Sequence, residues 1–239
     1  MKVLIGIQAR INSTRFPRKV FALLRDRPLL WYTVQEAHRA SAYINKHHKH
    51  KGRECSVALV CPDGDKEFQF LKWAPTIYWG SENDVLSRYA KAVKESGCDY
   101  IVRVTSDCPL IPSPLISKMI TYALENGYDY VSNVGDDKES CRTAPDGFDC
   151  EVLSKEAVAK MDSLVTDKHD REHDTTYMRR EMPSWAKRGH MIGYMDLAGI
   201  KLSVDTPEDL ERVSRHFDSL KDKYELAEKL YGKIFVHRF

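Results

Sequence analysis

The chain has 239 residues, which is enough for one large α/β domain, with or without a modest appendage, and too few for two full domains. Its 37 lysines and arginines nearly balance its 35 aspartates and glutamates, so the overall charge does not favour nucleic acid or a membrane surface. The chain lacks a run of roughly 18 apolar residues, a signal-peptide-like N-terminus and a C-x-x-C pair, so we expect a cytoplasmic protein with reduced thiols.

The first 135 residues alternate between strand and helix signals. Residues 3–7 form a short continuous apolar run, which is typical of a strand covered on both faces, and apolar residues recur at helical spacing after Pro28. We predict further strands at 57–60, 77–78, 100–104 and 130–134, and further helices at 66–73, around 85–93 and at 114–125, the last two ended by Gly97 and Gly127. This alternation predicts βαβ units and a Rossmann-like, mainly parallel sheet flanked by helices.

The pattern loosens between residues 135 and 200. A polar stretch at 135–149 precedes a predicted strand at 150–153 and helices near 155–162 and 170–181, so a small subdomain or a dimer arm is expected there within a single domain of residues 1–239. The regular pattern then returns with a predicted strand at 201–204 and a helix over TPEDLERVSRHF. Thr206 is the predicted N-cap of that helix, Pro207 its first residue and Asp209 the partner in a capping box.

The segment after the first strand, QARINSTRFPRK at residues 8–19, carries three arginines, a lysine and two hydroxyl groups. Ligands bind outside the carboxyl ends of the strands in an open α/β sheet, so these cations indicate an anionic ligand. Two later predicted strands end in RVTSDCPLI and VDTPEDL, which places Asp107 and Asp205 on the same edge. Mg²⁺ is usually held by one or two carboxylates with waters and substrate phosphates, and the combination therefore predicts a site for a metal-bound nucleoside triphosphate.

Each part of this site has a simpler interpretation when it is taken alone. Asp107 is then a turn residue before Pro109, Asp205 helps to start the next helix, and the basic residues pair with surface acids. The sequence has no G-x-x-x-x-G-K-[ST] segment and no G-x-G-x-x-G after a strand. The usual signatures of kinases, ATPases and dinucleotide-dependent oxidoreductases are therefore absent. Nucleotidyl transfer on a Rossmann-like sheet is the hypothesis that remains.

Seven segments stand in an order that resembles the sugar-acid cytidylyltransferases, the family that contains CMP-Kdo synthetase and the spore-coat polysaccharide cytidylyltransferase-like proteins. The segments are QARINSTRFPRK, GSENDVLSRY, RVTSDCPLI, DYVSN, GFDCEV, REH and VDTPEDL. The resemblance is greatest to the spore-coat branch and covers nearly the whole chain. It implies a GT-A-like α/β fold, CTP and Mg²⁺ as cosubstrate and cofactor, and a homodimer.

The resemblance also implies roles for individual residues. The metal ligands correspond to Asp107 and Asp205, and the catalytic set adds Arg10, Arg15 and Lys19, the cations expected at the phosphates. The implied nucleotide-binding set is Ala9, Arg10, Ser13, Thr14, Arg15, Lys19, Arg103 and Ser106, and the implied acceptor-binding set is Asn133, Arg142, Asp149 and His173. His173, expected at the start of a helix, either approaches the acceptor carboxylate or is structural, and Arg142 either binds that carboxylate or is solvated.

Three positions depart from the family pattern, which often has glycine where this chain has Asn12, Arg18 and Ser106. Asparagine is the non-glycine residue that best tolerates a positive φ, so Asn12 is expected to keep the turn of the loop. Arg18 either adds a phosphate contact or reshapes the loop.

The expected reaction transfers CMP from CTP to a Kdo-like or nonulosonic acid in surface polysaccharide or glycan biosynthesis. A phosphonate acceptor is one alternative. A GT-A glycosyltransferase normally keeps an Asp-x-Asp pair where this chain has Ser106-Asp107-Cys108, and a sugar 1-phosphate nucleotidyltransferase usually has a G-x-G-[ST]-R loop. An RNA-binding module built on the first loop and on NKHHKHK at 45–51 is disfavoured by the balanced charge and by the lack of interleaved aromatic residues. We expect no nucleic-acid or membrane partner.

Overall fold

The chain folds around a seven-stranded sheet with helices packed on both faces. The computed structural model describes residues 1–135, 142–216 and 220–232. The strands of these residues are β1 (Lys2–Gln8), β2 (Leu23–Leu24), β3 (Arg27–Pro28), β4 (Glu54–Pro62), β5 (Thr76–Gly80), β6 (Tyr100–Thr105), β7 (Tyr130–Ser132), β8 (Glu151–Ser154) and β9 (Arg188–His190). The α-helices are α1 (Leu29–His47), α2 (Val85–Ser96), α3 (Ser113–Asn126), α4 (Lys155–Leu164), α5 (Lys168–Glu172), α6 (Thr176–Arg180), α7 (Pro207–His216) and α8 (Leu220–Tyr231).

The large sheet has the order β5-β4-β1-β6-β8-β7-β9. Strand β8 runs antiparallel to both of its neighbours, and every other adjacent pair is parallel. Strands β2 and β3 form a separate short hairpin. The prediction of a mainly parallel sheet flanked by helices is therefore confirmed, and β8 and β9 show that the looser region contributes to this same sheet.

The two faces of the sheet bury separate apolar clusters, as β1 illustrates. Val3, Ile5 and Ile7 belong to the cluster under α1 and α3, whereas Leu4 belongs to the cluster under α2 and α4. A strand with both faces covered has no solvent side for polar residues, and this explains the continuous apolar run that identified β1 in the sequence.

Most of the predicted helices are present, with three differences in extent. Gly97 and Gly127 end α2 and α3 in the left-handed conformation at φ of 63° and 59°. The segment predicted as a helix at 66–73 is a 3₁₀ helix over Lys66–Phe70, and the one predicted at 170–181 is divided between α5 and α6. Helix α1 continues through residues 45–47, so the histidine-rich segment begins as helix rather than as loop.

The prediction of a strand at 201–204 is wrong. These residues form one isolated bridge, from Lys201 to Asp146, and the N–H groups of Leu202 and Ser203 both donate to the Asp146 carbonyl, at 2.5 and 3.1 Å. The segment is extended because it bonds to another loop rather than to a strand of the sheet. Residues 136–141 of the predicted polar stretch and Phe217 of the predicted last helix lie outside the described residues.

Five cysteines lie among the described residues, and all five are free and buried, which confirms the prediction of reduced thiols for them. Cys141 lies outside the described residues. Within the described part of the chain, no helix combines the length and apolar character needed to cross a membrane.

Candidate active site

The candidate site lies at the carboxyl ends of β1 and β6, where the strand order changes direction. Strands β4 and β5 lie on one side of β1, and β6 lies on the other. The residues that follow β1 and β6 therefore open into the same crevice, which is where ligands bind in sheets of this type. We call residues 9–18, which follow β1, the first loop.

Lys19, just after the first loop, joins the two predicted metal ligands. Its Nζ atom lies 2.8 Å from Oδ2 of Asp107 and 3.0 Å from Oδ1 of Asp205. Arg15 Nη2 also contacts Asp205 Oδ1, at 2.8 Å. The side chains of Lys19, Asp107 and Asp205 are 11%, 26% and 18% exposed, so the charges meet in a crevice that still opens to solvent. The structure thus brings together Arg15, Lys19, Asp107 and Asp205 as the sequence predicts.

The charges in this group stabilise one another. Burial raises the pKa of Asp107, but the charge and hydrogen bond of Lys19, together with hydrogen bonds from Thr105 and the backbone, leave that pKa below its usual value. Burial likewise lowers the pKa of Lys19, and the charges and hydrogen bonds of Asp107 and Asp205 leave it raised. The ammonium and the Asp107 carboxylate are therefore both charged at neutral pH.

Asp205 reaches this place through loop contacts and not at the end of a strand. The N–H of the preceding residue, Val204, donates to the Asp107 carbonyl at 2.9 Å. Asp209 accepts hydrogen bonds from the N–H groups of Asp205 and Thr206 at 2.9 and 3.1 Å, and its own N–H donates to Thr206 Oγ1 at 3.3 Å. These contacts confirm the capping box and fix the start of α7 beside β6.

Two cations hold Asp209 in its place. Lys201 Nζ lies 2.7 Å from one of its carboxylate oxygens, and Arg212 Nη2 lies 2.6 Å from the other. Burial opposes the charge, but these hydrogen bonds keep the pKa of Asp209 well below its usual range. Lys201 also approaches Asp205 Oδ2 at 3.4 Å. Lys201 is not among the site residues predicted from the sequence, although its position four residues before Asp205 could have indicated an ion pair.

Gly147 sets the position of the segment that carries Asp205. Its φ is 108°, and a Cβ atom at this position would lie 2.6 Å from the backbone carbon of Leu202 and the nitrogen of Ser203. Both the backbone conformation and the close approach require glycine.

We expect Gly147→Ala to destabilise the fold by about 2 kcal/mol and to reduce pyrophosphate release by about tenfold, because the segment before Asp205 must move away. Urea unfolding and a steady-state assay measure the two effects. Gly199→Ala is the control, since a Cβ there meets no atom within 4 Å. Equal behaviour of the two variants would contradict the positioning role of Gly147.

The first loop is anchored at its start by the neighbouring strand β4. The N–H of Ala9 donates to the Val60 carbonyl at 3.3 Å, and the N–H of Ile11 donates to Asp65 Oδ2 at 2.7 Å. Asp65, which follows β4, was also missed in the sequence. Ser13 is half-buried and Thr14 is exposed.

Arg10 and Ser106, which are also predicted to bind the nucleotide, differ in their exposure to solvent. Arg10 is 51% exposed and lies 4.0 Å from Glu172, which leaves its guanidinium largely solvated. Ser106 is buried, and its N–H donates to the Gln8 carbonyl at 3.0 Å. Ser106 therefore ties the loop after β6 to the end of β1.

Arg18, and not Asn12, is the first-loop residue in the left-handed conformation. Among the described residues, the non-glycine positions with positive φ are Arg18, Arg25 and Met182, so the expectation that Asn12 uses a positive φ is wrong. Arg18 has φ 59°, and its guanidinium makes two hydrogen bonds to Glu67, at 2.8 and 2.6 Å. A glycine that is common in the family at this position thus has a conformational reason, and the arginine is directed to a carboxylate.

We expect Arg18→Gly to leave the CTP dissociation constant within about twofold of wild type, because an exposed ion pair contributes little and glycine favours this conformation. Isothermal titration calorimetry with CTP measures the effect. A large loss of affinity would show that Arg18 binds phosphate.

Arg103 and Asn133 do not join the crevice. Arg103 lies 2.9 Å from Glu151 and 2.8 Å from Asp174, and these two buried carboxylates raise its pKa despite its burial. Asn133 is fully buried and makes hydrogen bonds to the backbone of Phe148 and Cys150 and to Tyr231. Both side chains are committed to internal contacts, so this geometry does not support direct ligand contacts by Arg103 or Asn133.

The other three acceptor candidates, Arg142, Asp149 and His173, lie in the looser region. Arg142 Nη2 contacts Asp149 Oδ1 at 2.6 Å, and each side chain is 24% exposed, so Arg142 is paired rather than solvated. Burial raises the pKa of Asp149 although Arg142 opposes the shift. His173 follows the end of α5 instead of starting a helix, and its ring lies 4.6 Å from that of His169. Burial and the neighbouring His169 lower the pKa of His173.

The donor set of Asp107 and Asp205 fits a hard divalent cation. Both groups are carboxylates, both contact the same lysine nitrogen, and both keep part of their surface open to the crevice. Mg²⁺ prefers such oxygen ligands and usually completes its shell with water and substrate phosphates.

Comparisons with known proteins identify the family of the chain. A family model described as cytidylyltransferase matches residues 4–237. The chain is 25% identical to the spore coat polysaccharide biosynthesis protein SpsF of Bacillus subtilis, over 94% of this chain and 90% of that protein. It is 31% identical to the 3-deoxy-manno-octulosonate cytidylyltransferase of Bdellovibrio bacteriovorus, over 50% of this chain and 44% of that protein.

A solved structure of a cytidylyltransferase from Leptospira borgpetersenii has a TM-score of 0.79 and 27% identity, covering 99% of this chain and 100% of that one. The chain that forms the crevice of cations and carboxylates therefore shares its fold, over nearly its whole length, with this cytidylyltransferase. The chain belongs to the cytidylyltransferase family and is a CTP-dependent nucleotidyltransferase.

Proposed function

We propose that the protein transfers CMP from CTP to a sugar acid in a Mg²⁺-dependent reaction that releases pyrophosphate. The contact of Asp107 and Asp205 with the one ammonium of Lys19 carries this proposal, because it puts two carboxylates and a cation at the mouth of one crevice. The relatives that act in spore-coat polysaccharide biosynthesis and on 3-deoxy-manno-octulosonate support a sugar acid as the acceptor class.

In this proposal the acidic residues of the crevice bind the metal and the basic residues bind the phosphates. Asp107 and Asp205 would hold Mg²⁺, which would neutralise charge that develops on the phosphates and lower the pKa of an attacking oxygen. Arg15 and Lys19 would bind the β- and γ-phosphates, whose negative charge grows as pyrophosphate departs, and the half-exposed Arg10 would join them.

The acceptor oxygen attacks the α-phosphorus as its hydroxyl proton passes to solvent, and the bond from that phosphorus to the oxygen bridging to the β-phosphate breaks. No protein base is required, because positioning and electrostatic stabilisation account for most catalysis of phosphoryl transfer. Ser13 and Thr14 would direct their hydroxyl groups to the triphosphate from the first loop. We place the acceptor on the side of Arg142 and Asp149, where the guanidinium would exchange its partner for the sugar carboxylate.

A pyrophosphate-release screen tests this function. It combines each of the four nucleoside triphosphates with Mg²⁺ or with a chelator, against a panel of Kdo-like acids, nonulosonic acids, neutral sugars and phosphonates. We expect release with CTP, Mg²⁺ and a sugar acid together. Release with a phosphonate alone would exclude the sugar-acid proposal, and release that persists after chelation would exclude the metal.

A further inference from the structure

Gln8, the last residue of β1, has a buried side-chain oxygen without a hydrogen-bond donor. The residue is half-buried, but its Oε1 atom is buried and has no hydrogen-bond partner in the described part of the chain. A buried carbonyl oxygen without a donor is costly, and most such groups in folded proteins are paired. One that stays unpaired beside a ligand crevice indicates that the ligand supplies the donor.

Backbone contacts place Gln8 at the candidate site. Its carbonyl accepts from the N–H of Ser106 at 3.0 Å, and the first loop begins with the next residue of the chain. In the parallel register of β1 and β6, Gln8 pairs with Thr105, two residues before Asp107. Gln8 therefore lies between the first loop and the loop that carries a predicted metal ligand.

The side chain of Gln8 lies on the face of the sheet that α2 covers. Side chains alternate between the two faces along a strand. Leu4 belongs to the cluster under α2 and α4, and a Cβ atom on Gly6 would lie 3.3 Å from the ring of Tyr89 in α2. Gln8 is two residues further along this face, and its partner there in β4 is the apolar Val60. The amide thus ends a mostly apolar row at the edge of the sheet where the crevice opens.

The chemistry of an amide oxygen selects one part of CTP. Phosphate oxygens are acceptors and would repel Oε1, whereas the cations Arg15 and Lys19 suit them. The donors of a cytidine nucleotide are the ribose hydroxyl groups and the 4-amino group of the base. The amino group belongs to a flat ring, which suits an amide with an apolar neighbour. Uracil has a carbonyl oxygen in place of this amino group, so it offers the amide oxygen no hydrogen there.

We propose that Gln8 binds the base of CTP, with Oε1 accepting a hydrogen bond from the 4-amino group of cytosine, and that it thereby favours CTP over UTP. The amide nitrogen can donate to the ring nitrogen on the same edge of the base, as amide side chains do in bidentate contacts with adenine. Gln8 is then a specificity-determining residue. The inference rests on the use of CTP and not on the identity of the acceptor.

The test compares Gln8→Leu and Gln8→Glu with the same leucine substitution at another half-buried glutamine. Gln35 lies in α1, which covers the opposite face of the sheet, so Gln35→Leu is the matched control. Calorimetry measures the Kd of CTP, UTP and inorganic tripolyphosphate without any acceptor. Thermal unfolding measures Tm for each variant.

We expect wild type to bind CTP at least about tenfold more tightly than UTP, and Gln8→Leu to reduce this preference to less than about threefold. Tripolyphosphate binding should stay within about twofold of wild type, because the phosphates do not contact Gln8. Gln8→Glu keeps an acceptor and should retain a preference for CTP. The Tm of Gln8→Leu should equal or exceed that of wild type, because an unpaired buried oxygen is removed. Gln35→Leu should leave the preference unchanged.

Three results would overturn the proposal: a wild type that binds CTP and UTP equally, an unchanged preference in Gln8→Leu, or an equal loss for CTP and tripolyphosphate. If Gln8→Leu does not fold, Gln8→Met serves for the same comparison. Since no acceptor is present, failure of the sugar-acid proposal would leave this measurement unaffected.

Discussion

Replacing Asp107 by Asn is expected to slow CTP-dependent pyrophosphate release by at least about a thousandfold, and Asp205→Asn is expected to do the same. Asparagine keeps the size of the side chain and an oxygen that accepts from Lys19, so the fold should persist. The change removes one negative charge from a set that would hold a divalent cation, and a neutral amide oxygen is a much weaker ligand for Mg²⁺.

Binding of Mn²⁺ to the complex with CTP, followed by electron paramagnetic resonance, separates loss of the metal from other causes of inactivity. We expect weaker Mn²⁺ binding in both variants. Asp99→Asn is the control, because Asp99 precedes β6 at the opposite end of the strand, where it pairs with Lys155 at 2.9 Å. Wild-type activity in either Asp107→Asn or Asp205→Asn would remove the metal assignment.

The second large effect concerns stability. Glu36→Ala is expected to lower the free energy of unfolding by about 3–5 kcal/mol, because it leaves a buried ammonium without its partner. Glu36 of α1 and Lys223 of α8 are 1% and 4% exposed, with 2.8 Å between the charged groups. The same carboxylate also accepts from the N–H of Ser113 at 2.8 Å and from Tyr224 at 2.9 Å, so one side chain joins α1, α3 and α8.

Urea unfolding measures this loss, with Glu125→Ala as the control. Glu125 is 46% exposed and pairs with Lys51, so its removal should cost less than about 1 kcal/mol. A double variant, Glu36→Met with Lys223→Met, should recover most of the stability because both charges are removed together. A loss in Glu36→Ala no greater than in Glu125→Ala would contradict the role of the pair.

The stability difference should also depend on pH. Burial raises the pKa of Glu36, but Lys223, Arg39 and the N–H of Ser113 together leave that pKa below the ordinary value of 4.5 in the folded protein. The contribution is therefore fully present above the ordinary value and is lost as pH falls toward the folded value. We expect the gap between wild type and Glu36→Ala to narrow below about pH 4.5.

The parts of the fold that depend on local pattern were predictable from the sequence. The apolar run of β1 and the glycines that end α2 and α3 each have a local cause, so a single sequence is enough to predict them. The pairing of Lys19 with Asp107 and Asp205 was also anticipated as a shared site, although Asp205 arrives by a different route. Its place depends on Val204 and Asp146, which bond across long separations in the chain.

The remaining features depend on contacts that a sequence pattern does not encode. The antiparallel direction of β8 is set by its neighbours and not by its four residues. The motif around Arg103 predicts that it contacts the ligand. In the structure it instead forms ion pairs with two buried carboxylates from distant segments of the chain. Arg18 stands where glycine is common, and its partner Glu67 lies 49 residues further along the chain.

The most direct test of the central claim follows the phosphorus atoms of CTP. The protein is incubated with Mg²⁺, a sugar acid and CTP labelled either at the α- or at the γ-phosphorus, and the products are separated. We expect the α-label in a CMP-sugar acid conjugate and the γ-label in pyrophosphate, with neither product formed by Asp107→Asn. Release of the γ-label as inorganic phosphate, with the α-label left in CDP, would contradict nucleotidyl transfer.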